Sequence, residues 1–245
     1  MKKKLSLVLI ALALVLLGGS IVGSARAALT YYSEDYVAQM DVKSIGVSLV
    51  ENDNVVSWRD YLHKDDAWTQ KTGELLTNLL GKDEKLIFGK QYKEELAVTN
   101  SGSIDEYVRV TVHRYWVGCD ESGKATGKKR TDMDPALIDL NFPEGSGWLV
   151  DKSASTPERT VLYYNRPLPS GATSALFADT LAIDSSVLNV VTKGTNSAQP
   201  YFYQDVQFMI EAEVDAVQTH NAEDAIKSAW GVDVSVGSDG SLSLK

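Results

Sequence analysis

The chain has 245 residues, of which 44% are hydrophobic and 23% are charged, and its formal net charge is −9. This composition is typical of a globular protein and excludes the collagen-like, disulfide-scaffold and wholly disordered classes. The acidic balance argues against nucleic acid and anionic membrane surfaces as main partners. The single cysteine, Cys119, can form neither an intrachain disulfide nor a multi-cysteine zinc site.

The first 27 residues have the pattern of an export signal. Three lysines at positions 2–4 precede an apolar run from Leu5 to Leu17, and Ala25-Arg26-Ala27 has the small-x-small form that precedes cleavage. The run of about 13 residues is shorter than the ~20 that a membrane-spanning helix needs, although an uncleaved signal that serves as an anchor stays an alternative. We therefore predict a secreted mature chain that begins at Ala28 and has no membrane contact after cleavage.

Alternation of apolar and polar residues predicts that the mature chain is built mainly of β-strands. Residues 107–116 and 206–214 alternate most clearly, with Val108, Val110 and Val112 on one face of the first segment. Weaker strand candidates are residues 43–50, 85–88, 92–99, 136–140, 148–151, 160–165, 174–183, 187–191 and 232–236. Turn residues separate these segments, which indicates an antiparallel sandwich or barrel.

One or two short helices are predicted in the connections. Residues 221–231 have an N-cap asparagine, acidic residues in the first turn and a terminating glycine. Residues 68–80 are the second candidate, because Leu75, Leu76, Leu79 and Leu80 have helical spacing and Gly81 follows them. Residues 120–134 are charged and are expected to form a long exposed hairpin loop.

Motifs that would carry catalysis are missing from the sequence. The three histidines, His63, His113 and His220, form no His-x-x-x-His pair, and acidic residues follow Cys119, which disfavours a reactive thiolate. Clusters of aromatic residues could stack on sugars, but packing within strands is the simpler interpretation. We therefore predict that the protein is not an enzyme and has no metal site and no cofactor.

The mature N-terminus, residues 28–50, is open to two interpretations. The segment could form an ordinary first strand of its own sandwich, which the residues alone favour. It could instead add, once cleavage has freed it, to an open sheet edge of another copy. Head-to-tail repetition of such a contact would give a filament. Alternate apolar side chains, Ile45, Val47 and Leu49, would then set the register of the joint.

Two segments resemble the TasA/camelysin family of exported Gram-positive proteins. Residues 92–110 contain a strand, an Asn-x-Gly turn at Asn100 and Gly102, and a second strand that includes Tyr-Val-Arg-Val at positions 107–110. The closing block of residues 210–222 is also similar to members of this family. The signal, with Gly18-Gly19-Ser20 after its apolar run, resembles those cleaved by the dedicated SipW-type signal peptidase of the family.

The resemblance implies a jelly-roll-like antiparallel β-sandwich of residues 51–245 that follows a donor strand of residues 28–50. Subunits of this kind form extracellular biofilm-matrix fibres, joined by the N-terminal donor strand of each copy. The predicted donor residues are Tyr36, Val37, Val42, Ile45, Val47 and Leu49. Expected partners are other copies of the chain, other matrix proteins or polysaccharide, and the signal peptidase during export.

Two other functions stay open at this point. The first is a monomeric secreted sandwich at the cell surface that binds glycan or a surface partner through its aromatic loops. The second is an exported metallopeptidase, since some relatives carry that label. The missing zinc-peptidase motif disfavours it, and the resemblance transfers no catalytic residue to this chain.

Overall fold

The computed structural model of the protein describes residues 44–62, 67–81, 84–187 and 206–245. The predicted signal lies outside these residues, as do the predicted donor residues Tyr36, Val37 and Val42. His63 and most of the strand candidate 187–191 lie outside them too. In the part that is described, no helix is both long and apolar enough to cross a membrane.

The described residues form thirteen strands, one α-helix and two short turns of 3-10 helix, at Pro135–Leu137 and at residues 185–187. The elements are β1 (Gly46–Glu51), β2 (Asn54–Leu62), β3 (Ala67–Lys71), β4 (Tyr92–Asn100), β5 (Glu106–Cys119), β6 (Ala125–Lys129), β7 (Ile138–Asn141), β8 (Trp148–Val150), β9 (Arg159–Tyr164), β10 (Ala178–Ile183), β11 (Val206–Gln218), α1 (Ala222–Trp230), β12 (Val234–Val236) and β13 (Leu242–Leu244).

Two antiparallel sheets make up the body of the molecule. Sheet A has the strand order β3-β2-β1-β4-β10-β7, and sheet B has the order β11-β5-β9-β8, with β6 paired to the end of β5. The strands β12 and β13 form a separate hairpin. The prediction of an all-β antiparallel sandwich is therefore confirmed, whereas its finer jelly-roll connectivity stays a prediction.

The core lies between the two sheets. Leu96 and Val98 of β4 face it from sheet A, and Val108, Val110 and Val112 of β5 face it from sheet B, all at 1% exposure or less. The alternation seen in the sequence places these side chains on one face because successive residues of a strand point to opposite sides. Full burial of each such side chain contributes roughly 1.5–3 kcal/mol.

The outer face of sheet B carries a second hydrophobic cluster. Tyr107, Tyr163 and Val217 point outward from this sheet, and α1 and the β12–β13 hairpin cover them. Ile226 of α1 is fully buried in this cluster, and the ring of Trp230 lies 5.5 Å from that of Tyr163. The helix predicted at residues 221–231 is thus confirmed. Its N-cap residue Asn221 adopts a left-handed conformation, and its side chain makes no capping hydrogen bond.

The second predicted helix, at residues 68–80, is wrong. Residues 67–71 form β3, which pairs with β2, and bends and turns follow up to Gly81. Leu75, Leu76 and Leu79 pack against the main core from this irregular segment. The helical spacing of these leucines therefore identified residues that pack against the core, although they form no helix. Leu76 also has a left-handed φ of 67°, which no α-helix accommodates.

Candidate functional site

The end of the predicted donor segment, residues 46–50, belongs to an internal strand of its own molecule. Val47 and Leu49 are buried in β1, which pairs with β2 on one side and with β4 on the other. Ile45 lies just before β1 and is half-buried. The prediction that Val47 and Leu49 set the register of a joint between copies is corrected by this pairing, because both edges of β1 are occupied. A donor role is left to the residues before β1.

The Asn-x-Gly turn between β4 and β5 is held by a buried asparagine. Asn100 is fully buried, and its Nδ2 donates to the carbonyl oxygens of Ile104 at 2.7 Å and Leu168 at 2.8 Å. Its Oδ1 accepts a hydrogen bond from the amide of Gly102 at 2.8 Å. The side chain therefore replaces main-chain partners and fixes the shape of the turn.

This turn forms hydrogen bonds with the chain at the start of β1. The amide of Gly102 donates to the carbonyl of Gly46 at 3.1 Å, and the amide of Ser103 donates to that of Ser44 at 2.9 Å. A Cβ on Gly102 would lie 2.7 Å from both Gly46 N and Ser44 O, so only glycine allows this approach. The motif thus fixes the position of residues 44–46 at the start of β1.

A buried carboxyl group lies under the same point. Glu106 has no exposed surface, and its Oε1 accepts a hydrogen bond from the amide of Gly46 at 3.0 Å. Its Oε2 has no hydrogen-bond partner among the described residues. Burial, and to a lesser degree the charge of Asp60, raise the pKa of Glu106 to about 7 although the bond from Gly46 opposes the rise.

The long strand β11 is an edge of sheet B. All thirteen of its residues pair with β5, from Val206 opposite Gly118 to Gln218 opposite Glu106. In the described ranges no other strand pairs with β11. Its second side therefore presents main-chain N–H and C=O groups on which a further strand can form.

The inward side chains of β11 are only partly covered. Five of them pack on the main core yet stay half-buried: Val206, Phe208, Ala212, Val214 and Ala216. By contrast, Val110 and Val112 of the neighbouring β5 are 0% and 1% exposed. The difference arises because β5 has strands on both sides, whereas β11 has one.

Two cavities run along this edge, and together with the β11 edge we call them the β11 groove. The larger has a volume of about 620 Å³ and lies between residues 75–88 and the first half of β11, with Trp116 and Phe208 in its wall. Those two rings meet edge to face at 6.3 Å. The smaller cavity, of about 210 Å³, lies between β1, β2 and β3 of sheet A and residues 212–214 of β11. The residues that line the larger cavity are apolar except for Thr77 and Gln207.

The outward face of β11 is acidic. Glu211, Glu213 and Asp215 alternate with the inward residues. Asp215 forms an ion pair with Arg109 at 2.6 Å, and Tyr115 donates its hydroxyl to Glu211 at 2.5 Å. This hydrogen bond is the main reason why the pKa of Tyr115 rises to about 12. A strand added here would meet a negatively charged rim.

The residues considered for chemistry in the sequence do not converge. His113 is half-buried in β5, and Cys119 is a free thiol at the end of that strand. Across the described ranges, no group of three or more His, Cys, Asp or Glu side chains is arranged to hold a metal ion. The aromatic residues Tyr163 and Tyr164 are buried and pack on Trp230 and Trp148.

Sequence reasoning also missed four buried acidic residues, of which Glu94 and Glu106 are the most completely buried. Glu94 and Glu106 are 1% and 0% exposed. The sequence did contain a signal that Glu94 is buried, because this residue occupies an inward position of β4 together with Tyr92, Leu96 and Val98. Burial of an acid within such a pattern needs a partner or a bound proton.

Comparisons with protein-family models, with curated proteins and with solved structures found no match to this chain. A function for the protein is therefore argued from the geometry of the β11 groove.

Proposed function

We propose that this chain is an exported structural subunit that polymerises into an extracellular matrix fibre. Residues 28–42 of one copy would add as a strand to the β11 edge of the next copy. The observation that carries this proposal is the edge of β11, which has no second strand partner among the described residues and leaves most of its inward side chains half-buried. Main-chain hydrogen bonds would supply the joint, and burial of the apolar groove would stabilise it.

The length of the donor segment fits the length of the edge. Fifteen residues, 28–42, reach about 50 Å when extended, and the thirteen residues of β11 extend over about 43 Å, at ~3.3 Å per residue. On an extended donor strand Tyr36, Met40 and Val42 lie on one face, and this face can supply apolar side chains to the groove. The donor segment would extend from the start of β1, which hydrogen bonds from the Asn-x-Gly turn hold in place.

A contact of this kind is heterologous, because the donor segment and the β11 groove are different surfaces of the subunit. Each added copy leaves one free donor and one free groove, so the contact repeats head to tail and builds a filament. The competing arrangement inserts residues 28–42 into the groove of their own molecule, and this would leave a monomer.

Electron microscopy and light scattering of residues 28–245 at increasing concentration test the proposal. We expect fibres from this protein and none from residues 42–245, and a synthetic peptide of residues 28–42 should inhibit fibre growth by occupying the groove. Fibres that persist without residues 28–41 would refute the donor role. A monomer at every concentration would favour insertion into the same molecule.

Two substitutions on β11 make a matched pair. Val214→Lys places a charge in the groove, whereas Glu211→Lys places the same charge on the outward face, at a residue that lines neither cavity. We expect Val214→Lys to prevent fibre growth and Glu211→Lys to preserve it, since only the first side chain would lie under the added strand. Equal effects of the two substitutions would contradict the assignment of the groove.

A further inference from the structure

Two neighbouring carboxyl groups are buried in sheet A. Glu94 of β4 is 1% exposed and Glu51, the last residue of β1, is 7% exposed. Neither side-chain oxygen of Glu94 has a conventional hydrogen-bond partner among the described residues, and Glu51 is the acidic neighbour that acts on it most strongly. No lysine or arginine in the described ranges forms an ion pair with either carboxyl group.

Two carboxyl groups in such a place hold one proton between them, because two buried like charges repel each other and each lacks hydration. Burial first and Glu51 second raise the pKa of Glu94 to about 8. At neutral pH Glu94 is therefore protonated and can donate a hydrogen bond to the carboxyl group of Glu51. This accounts for the Glu94 oxygens that otherwise lack partners.

Other charged groups near the pair are engaged elsewhere. Lys93 and Glu95, the neighbours of Glu94 in β4, belong to the opposite face and pair with each other at 2.8 Å. Lys90 and Glu84, in the segment before β4, form their own pair at 2.8 Å. Asn52, in the turn after β1, is the polar group that favours the charged form of Glu94, and Glu74 in the segment after β3 is exposed.

Glu51 also holds the segment that walls the β11 groove. Its Oε1 accepts a hydrogen bond from the amide of Leu76 at 2.6 Å. Leu76 has a φ of 67°, a conformation that a leucine adopts at a cost and keeps only when its surroundings impose it. Leu75, Leu76, Leu79 and Leu80 line the larger cavity of the groove. The hydrogen bond from Leu76 therefore fastens the apolar wall in place.

We infer that the Glu51–Glu94 pair is a proton-dependent latch, which holds residues 72–81 as the wall of the β11 groove and releases them when the shared proton is lost. Two negative charges would then face each other, Glu51 would move away from the Leu76 amide, and the strained residue would relax. The latch itself stands on these contacts alone. Its effect on assembly rests on the proposed function, since an incoming strand would lose the leucines on which it packs.

Hydrogen exchange of the Leu76 amide in residues 28–245, measured from pH 6.5 to 9.5 and corrected for intrinsic exchange, tests the latch. Opening returns Glu94 to its ordinary pKa and so releases its proton, which predicts that protection falls about tenfold per pH unit from pH 6.5 up to about 8 and levels off above that, where the group is ionised in both states. Glu94→Gln removes the titrating group and should abolish this fall. Glu95→Gln, which changes the adjacent residue on the opposite face, is the matched control and should behave as the unaltered protein does.

Protection that is flat in the unaltered protein, or that falls equally in Glu94→Gln, would overturn the latch. Glu51→Gln is a second variant, which keeps a carbonyl oxygen for the Leu76 amide and should reduce the pH dependence without abolishing it, because burial still raises the pKa of Glu94. Fibre growth measured on the same samples separates the two proposals. If protection falls between pH 6.5 and 8 while growth is unchanged, the latch stands and the assignment of the groove as acceptor fails.

Discussion

Replacing Glu106 by glutamine should make the protein more stable at alkaline pH. The carboxyl group is fully buried, and its pKa is raised from 4.5 to about 7 in the folded protein. At about 1.36 kcal/mol for each pKa unit, this rise corresponds to roughly 3 kcal/mol. Glutamine keeps a carbonyl oxygen that can accept the hydrogen bond from Gly46, and it cannot ionise.

The sign follows from proton linkage. Below pH 4.5 the group is protonated in both the folded and the unfolded chain, so its ionisation costs nothing. As the pH rises from 4.5 to about 7, the unfolded chain ionises first, and the free energy of unfolding falls. Above pH 7 the full penalty of roughly 3 kcal/mol is present. Glu106→Gln should therefore gain up to about 3 kcal/mol at pH 8, relative to its difference from the unaltered protein at pH 4.5.

Urea denaturation of residues 42–245, followed by tryptophan fluorescence between pH 4.5 and 8.5, measures this difference. The truncated chain avoids any contribution from assembly. Asp105→Asn, a change at the exposed neighbouring residue, serves as the control and should leave the pH dependence unaltered. If Glu106→Gln and the unaltered chain lose stability in parallel between pH 4.5 and 7, Glu106 does not ionise in that range and the reasoning is refuted.

Three further predictions concern the turn, the outer cluster and the acidic edge. Gly102→Ala should lower the free energy of unfolding by about 2 kcal/mol or more in urea, because its Cβ would lie 2.7 Å from Gly46 N; an unchanged midpoint would contradict the close approach. Trp230→Ala should cost roughly 2–4 kcal/mol in a thermal melt by removing its contact with Tyr163; a change below about 0.5 kcal/mol would mean that α1 does not hold the outer face. We expect fibre growth, followed by light scattering, to begin earlier at about 0.5 M NaCl than at low salt, because salt screens the repulsion between the acidic edge and an incoming copy. Glu213→Gln should reduce this salt effect. Slower growth in salt would argue against repulsion at the edge.

Local alternation of apolar and polar residues predicted much of the fold. Residues 107–116 and 206–214 alternate with period two over many residues, and both lie in strands, β5 and β11, because alternation directly encodes which face of a strand is buried. The helix at residues 221–231 was equally predictable, since acidic residues begin it and Gly231 ends it. Such signals depend on near neighbours in the chain, and the sequence contains them in full.

The partners of each element could not be predicted in the same way. The leucines of residues 75–80 have the spacing of a helix, yet they meet the core from an irregular segment whose Leu76 is left-handed. Glu94 and Glu106 belong to a residue type that usually lies on the surface of a protein. Only the strands packed around them bury their carboxyl groups. Burial of a side chain depends on residues far away in the sequence.

By itself, therefore, the sequence determined the long alternating strands, which faces of them are apolar and that the chain is an all-β sandwich. It did not identify β2, β3, β6 and β13, and no strand forms at the candidate residues 85–88. Tertiary structure alone decided that β1 lies at the centre of sheet A and that β11 lies at the edge of sheet B. The physical reason is that a strand has the same alternation whether it has one neighbour or two. The number of neighbours depends on long-range hydrogen bonding, and it determines whether a strand can bind another copy of the chain.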